Sequence, residues 1–196
     1  MIVSTRNRHK LREFEELLPG FDLRPLPDEV EMPPEDGDSF AANALIKARA
    51  AREATREVVV ADDSGIAVVA LGGRPGIHSA RYGGPDSTDE ENLDKLLREV
   101  DVAGGDRRAA YVCVLALIDE GGEEFVFEAR CEGRLIERPR GSGGFGYDPA
   151  FVPDDTGPDD ERTMSELSPA EKHAISHRGR AARLLADHLR TAPEAS

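Results

Sequence analysis

Three stretches of this chain hold the residue types that phosphate chemistry needs. Gly141 to Pro149 reads Gly-Ser-Gly-Gly-Phe-Gly-Tyr-Asp-Pro, and Lys172 and Ser176-His177-Arg178 follow it. Glycines let a backbone approach a ligand, a ring can stack on it, and cations supply donors, so a nucleotide pocket is expected here. The second stretch is Thr5-Arg6-Asn7-Arg8-His9-Lys10, just after a strand-like Met1-Ile2-Val3. In the third, the apolar run Val58 to Ala61 leads into Asp62-Asp63-Ser64-Gly65, which predicts two carboxylates at a strand end. Hard oxygens of that kind suit Mg²⁺. Basic loops for phosphates beside an acidic turn for a metal predict a phosphate-cleaving enzyme.

Each stretch has a plainer reading. Asp, Ser and Gly are common turn residues, so Asp62 to Gly65 could be only a turn. Thr5 to Lys10 could be a helix start with solvated charges. Basic groups in a first helical turn oppose the helix dipole, however, unless an anion sits there. Phe145 could be a core anchor, and Ser176 a helix cap. Neither a phosphate-binding Walker pattern nor a dinucleotide fingerprint occurs in its required strand–helix context. Ser142 lacks the surroundings of a nucleophile elbow.

Composition narrows the classes. The 196 residues fit one domain that can bury a core without disulfides. A formal charge of −14 argues against a nucleic-acid partner, although a single nucleotide needs only a few local cations. No apolar run approaches membrane-spanning length and no signal-like segment begins the chain, so a cytoplasmic protein is expected. Cys113 and Cys131 have no metal-like spacing and read as buried strand residues. Arginine is the habitual cation. The four lysines are Lys10, Lys47, Lys95 and Lys172, and two of them fall in the polar clusters.

The elements that must position these groups can be read in order. Ile2 to Ser4 predicts a strand, and Arg8 to Leu18 a helix with Leu11, Phe14, Leu17 and Leu18 on one face. Pro25 to Gly37 reads as a loop. Asp38 or Ser39 caps a helix from Phe40 to about Arg56. Strands are expected at Val58 to Ala61 and Ile66 to Ala70, a helix from Asp89 to about Val100, and a hairpin from Ala109–Ile118 and Glu124–Glu132. Ser168 and Glu171 form a capping box, and a last helix runs from about His177 to Leu189. The fold class predicted is α/β, with a central mixed sheet flanked by helices. One domain over residues 1–190 and a flexible tail over 191–196 complete the plan.

Taken together, Thr5 to Lys10, Ala61 to Gly65, Leu71 to Ile77, Ser79 to Tyr82, Gly143 to Pro149 and Ala174 to Gly179 resemble the dITP/XTP pyrophosphatase family, the inosine triphosphatase-like enzymes. The motifs occur in order over essentially the whole chain. The resemblance implies an elongated domain of two lobes with an active-site cleft between them, and a homodimer. It also implies Mg²⁺-dependent hydrolysis of ITP, dITP and XTP to the monophosphate and pyrophosphate, clearing them before they enter DNA or RNA.

By position, Asp63 is then the proton acceptor and a metal ligand, with Glu35 as the second metal acid and Asp62 left as an alternative. Thr5, Arg6, Asn7, Arg8, His9 and Lys10 become the triphosphate grip, and Ser64 a substrate contact. Phe145, Gly146, Tyr147, Asp148, Lys172, His177 and Arg178 become the nucleoside pocket. Arg6 stands where many members have glycine, Ala42 replaces a frequent glutamate, and Asp154 to Glu161 is an unusually long acidic stretch. A 6-oxo purine offers an acceptor where adenine offers a donor. A donor from Lys172, His177 or Arg178 would therefore favour the former by about 1–3 kcal/mol per lost partner. A pyrophosphatase of modified pyrimidine nucleotides and a non-cleaving nucleotide sensor are the competing readings.

Overall fold

A computed structural model describes residues 1–191. Six strands form one sheet in the order β2-β1-β3-β4-β5-β6. These are β1 (Ile2–Ser4), β2 (Arg24–Pro25), β3 (Val59–Val68), β4 (Arg108–Ile118), β5 (Glu124–Leu135) and β6 (Phe151–Pro153). Strand β1 lies parallel to both β2 and β3, whereas β5 and β6 are antiparallel. The turn from β4 to β5 is closed by Asp119 N–H to the Glu123 carbonyl at 3.1 Å. So short a link can join only antiparallel neighbours, and the expected hairpin and mixed sheet are both present. The helices are α1 (Arg8–Leu17), α2 (Phe40–Thr55), α3 (Asp89–Val102), α4 (Pro169–Ile175) and α5 (His177–Thr191).

The main departure from expectation is β3. Residues 62–65 were expected to turn between two strands, yet Val59–Val68 is a single strand of ten residues. Turn-forming residue types were overridden by tertiary context. Both aspartates find cations on packed helices, so their backbones stay in the ladder. Gly65 serves close approach here, since a Cβ would lie 2.4 Å from Ser79 Oγ and 2.5 Å from the Gly76 carbonyl. Sequence reading also passed over the short strands β2 and β6.

The chain divides into two compact units, one of Met1–Asp63, Cys113–Ala129 and Arg178 onward, the other of Ser64–Val112 and Arg130–His177. In the first, alternation along the strands builds two cores. Val3, Val60, Cys113, Leu115 and Leu117 meet Phe14 and Leu18 of the α1 segment and Ala181, Ala182 and Leu185 of α5. The intervening residues Ile2, Val59, Ala61, Val114 and Ala116 meet Ala44, Ala48 and Ala51 of α2. Successive side chains of a strand point to opposite faces, so α1 and α5 cover one face of these strands and α2 the other. Burial of a residue such as Phe14 stabilises by about 1.5–3 kcal/mol.

The second unit gathers Ile66, Val68, Leu93, Leu96, Val100, Tyr111, Leu135, Phe151 and Met164 into one core. Thr88 and Glu91 cap α3 reciprocally, and Ser168 and Glu171 do the same for α4, the latter as expected. The acidic stretch 154–161 is pinned by arginines: Arg134 reaches Glu161 at 2.5 Å, and Arg162 reaches Asp160 at 2.8 Å. Of the expected tail, Thr191 instead closes α5; the remainder lies outside the described residues. No helix among them is long and apolar enough to cross a membrane.

Candidate active site

In the first unit the polar residues converge on β3. Asp62 follows Val60 in the strand alternation and shares its face, so it meets α1 and α5. Its carboxylate bonds the Lys10 ammonium, the Arg178 guanidinium at 3.4 Å and the Cys113 thiol at 3.3 Å. Glu13 accepts the other arm of Arg178 at 2.6 Å. Burial alone would raise Asp62, but Lys10, Arg178 and Lys47 outweigh it and hold the carboxyl well below the ordinary range. Burial beside that carboxylate pushes the Cys113 thiol up, which keeps it a donor.

Asp63 takes the opposite face, beside α2. There Lys47, buried in the row Ala44, Ala48 and Ala51, directs its ammonium to Glu35 Oε1 at 2.7 Å and Asp63 Oδ1 at 3.5 Å. Ser4 Oγ donates to the Lys47 carbonyl at 3.3 Å, and Asn43 Oδ1 accepts from Gly37 at 2.9 Å, tying the Glu35 loop to α2. Burial raises Asp63 above an ordinary carboxyl. Lys47 and Lys10 only partly counter it, and Glu35 and Asp62 reinforce it. Lys47 itself is desolvated, yet three carboxylates raise its affinity for its proton. Neighbours in sequence thus have opposite electrostatics because the pleat sends them to opposite sides.

In the second unit Asp148 is the centre. Its Oδ2 accepts from Lys172 Nζ at 2.8 Å and the Phe145 N–H at 3.0 Å, and its Oδ1 accepts from the Tyr111 hydroxyl at 3.1 Å. The Lys172 ammonium also lies 5.0 Å from the Phe145 ring centroid, a cation–π distance. The glycine loop closes on that carboxylate so tightly that a Cβ at Gly144 would fall 2.1 Å from Asp148 Oδ2, and Gly144 has φ +71°. The His177 ring stacks on Tyr111 with centroids 4.6 Å apart. Gly146 N–H donates to Asp89 Oδ2 at 2.8 Å, fastening the loop to α3.

Several residues expected at the ligand also make contacts within the protein. Arg6, expected as an added phosphate cation, donates to the carbonyls of Leu26, Pro27 and Val30 at 2.7–3.0 Å, bracing the loop before Glu35. Asn7 caps α1, accepting from His9 and Lys10 N–H, and Thr5 Oγ1 accepts from Asn7 N–H at 3.2 Å. Arg8 and His9 are exposed in the first turn of that helix. Tyr147 is a core residue whose hydroxyl donates to the Ser79 carbonyl at 2.7 Å. Arg178, expected at the nucleoside, is 2% exposed and belongs to the Asp62 group. Ser64 is half-buried on β3. Lys47 and Tyr111 were passed over. The available signal for Lys47 was a scarce lysine set at helical spacing within an alanine face.

Asp63 Oδ2 is buried and has no hydrogen-bond partner among the described residues. Its carboxylate and that of Glu35 converge on the Lys47 ammonium. Among the described residues no group of three or more His, Cys, Asp or Glu side chains is arranged to hold a metal unaided. A carboxylate pair is the donor chemistry that Mg²⁺ commonly takes alongside substrate phosphates and water.

The fold is a mixed-sheet α/β arrangement, and each of its two units carries one of these polar groups. The family model of the Ham1 family matches residues 1–188, and the chain belongs to that family. A protein named dITP/XTP pyrophosphatase from Geobacillus kaustophilus (strain HTA426) is 47% identical over 92% of this chain and 89% of its own. One of the same name from Geobacter sulfurreducens (strain ATCC 51573 / DSM 12127 / PCA) is 46% identical over 96% of each. Among solved structures, a HAM1 protein from Coxiella burnetii superposes with TM-score 0.87 at 38% identity, over 97% of this chain and 98% of that one. A nucleoside-triphosphatase / dITP/XTP pyrophosphatase from Mycobacterium abscessus ATCC 19977 / DSM 44196 gives 0.74 at 46% identity, over 94% and 97%.

Proposed function

We propose that this chain hydrolyses the α–β phosphoanhydride bond of non-standard purine nucleoside triphosphates, dITP, ITP and XTP, releasing the monophosphate and pyrophosphate. The observation that carries the reading is the division of labour between adjacent aspartates. Asp62 is locked as an anion among Lys10, Arg178 and the Cys113 thiol. Asp63 keeps an oxygen unengaged among the described residues and holds a proton more readily than an ordinary carboxyl. A general base needs that combination of reach and raised proton affinity.

In this reading Asp63 Oδ2 accepts the proton of the water that attacks the α-phosphorus. Lys10 and Lys47 offset phosphate charge, and the Asn7-capped start of α1 keeps Lys10 in place. Asp63 and Glu35 are the residues that would hold Mg²⁺, which when bound supplies further charge neutralisation at phosphate oxygens. Phe145 stacks on the base, while Lys172 and His177 offer donors to a 6-oxo group that adenine lacks. A homodimer, suggested by the family resemblance, and a cytoplasmic location, the expectation from the sequence, complete the proposal; light scattering on the purified protein decides the first. The test of function is pyrophosphate release from dITP, ITP, XTP, GTP and ATP with and without Mg²⁺. Preference for the first three is the expected result, and equal efficiency on ATP and ITP would overturn the reading.

A further inference from the structure

We infer that Tyr111 is the positioning residue for base selection, a role that rests on the proposed function above. One side chain governs both donors assigned to the base. Its hydroxyl donates to Asp148 Oδ1, while Lys172 and the Phe145 N–H donate to Oδ2. That third bond stops the carboxylate from rotating, and with it fixes the ammonium and the start of the Phe145 loop. The opposite part of the same side chain, the ring, lies nearly parallel to His177, 6° between planes at 4.6 Å. The edge-on Phe151 ring, 4.7 Å away at 62°, wedges Tyr111 from the other direction.

Tyr111 is buried, so it acts through Asp148 and His177. Discrimination by hydrogen-bond polarity requires donors held to about half an ångström. A group that fixes two donors at once therefore sets selectivity more than turnover, whose reacting atoms belong to the phosphates.

Tyr111→Phe removes only the hydroxyl and leaves both ring contacts. The expected result is a KM for ITP raised roughly three- to tenfold, kcat within about twofold, and a smaller change for ATP, so the ITP/ATP preference narrows. Calorimetric binding of IMP should weaken by the same factor, with the thermal midpoint lowered by a few degrees because a buried carboxylate oxygen loses its partner. Tyr111→Leu removes the stack as well and should widen both losses. Unaltered ITP kinetics and IMP affinity in Tyr111→Phe, or equal losses for ITP and ATP, overturn the inference. Failure of the unmodified protein to cleave ITP at all would instead sink the functional reading on which it rests.

Discussion

The Asp62–Asp63 group and the Asp148 group use the same ingredients, carboxylates and lysines out of water, in opposite ways. Both oxygens of Asp148 have partners: an ammonium, an amide and a hydroxyl donate to them. It is a fixed point on which rings and a cation are mounted. At β3 the charges are shared unevenly. Asp62 is surrounded by cations, while Asp63 shares Lys47 with Glu35 and has an oxygen to spare among the described residues. A buried polar group left partly unsatisfied costs stability, and such a cost persists where chemistry uses it. The difference is what the proposed function rests on: it assigns recognition to the satisfied carboxylate and the reaction to the one with an unspent acceptor.

The most severe way to break this contrast is Asp63→Asn. Turnover of dITP should fall about 10²- to 10⁴-fold while circular dichroism stays native; near-normal pyrophosphate release would remove Asp63 from the chemistry. Asp62→Asn should act on stability first. Leaving Lys10 and Arg178 without their shared anion is expected to cost about 3–5 kcal/mol, read by urea unfolding, and an unchanged midpoint would contradict the ion-pair hub.

The same residue makes a pH prediction. Because its carboxyl is held below the unfolded value of 3.8, its contribution is present above that pH and is lost progressively as pH falls below it. With a chelator present, the Asn variant should show a shallower acid decline in stability than the parent; parallel curves would refute the assignment.

On the recognition side, Lys172→Met should narrow the ITP-over-ATP preference by about 1–3 kcal/mol, with ATP turnover little altered. A preserved preference would move base reading to other donors. Smallest of all is Arg6→Gln. A loop brace should leave KM for dITP within about twofold and cost at most about 1 kcal/mol, whereas a large rise in KM would restore Arg6 to the triphosphate.

Periodicity made most of the elements legible. The face of α1 carrying Phe14 and Leu18, the Ser39 cap of α2 and the reciprocal cap of α4 are local features, and local chemistry specified them. Residues 62–65 were read wrongly for an equally physical reason. Turn-forming types describe what a short segment prefers alone, and the cations and core that held it extended come from residues far along the chain. Lys47 and Tyr111 escaped notice because a lysine in an alanine-rich helix and a tyrosine in an apolar strand look like ordinary structure until their partners are known.

By itself, then, the chain determined its element types, its motifs and the family they resemble, since these depend on neighbours in sequence. Tertiary structure alone decided which aspartate is pinned and which has an oxygen to spare, that Arg178 serves Asp62, and that Tyr111 joins Asp148 to His177. The physical reason is that proton affinity and side-chain orientation depend on burial and on charges a few ångströms away, and folding brings those together from distant parts of the chain.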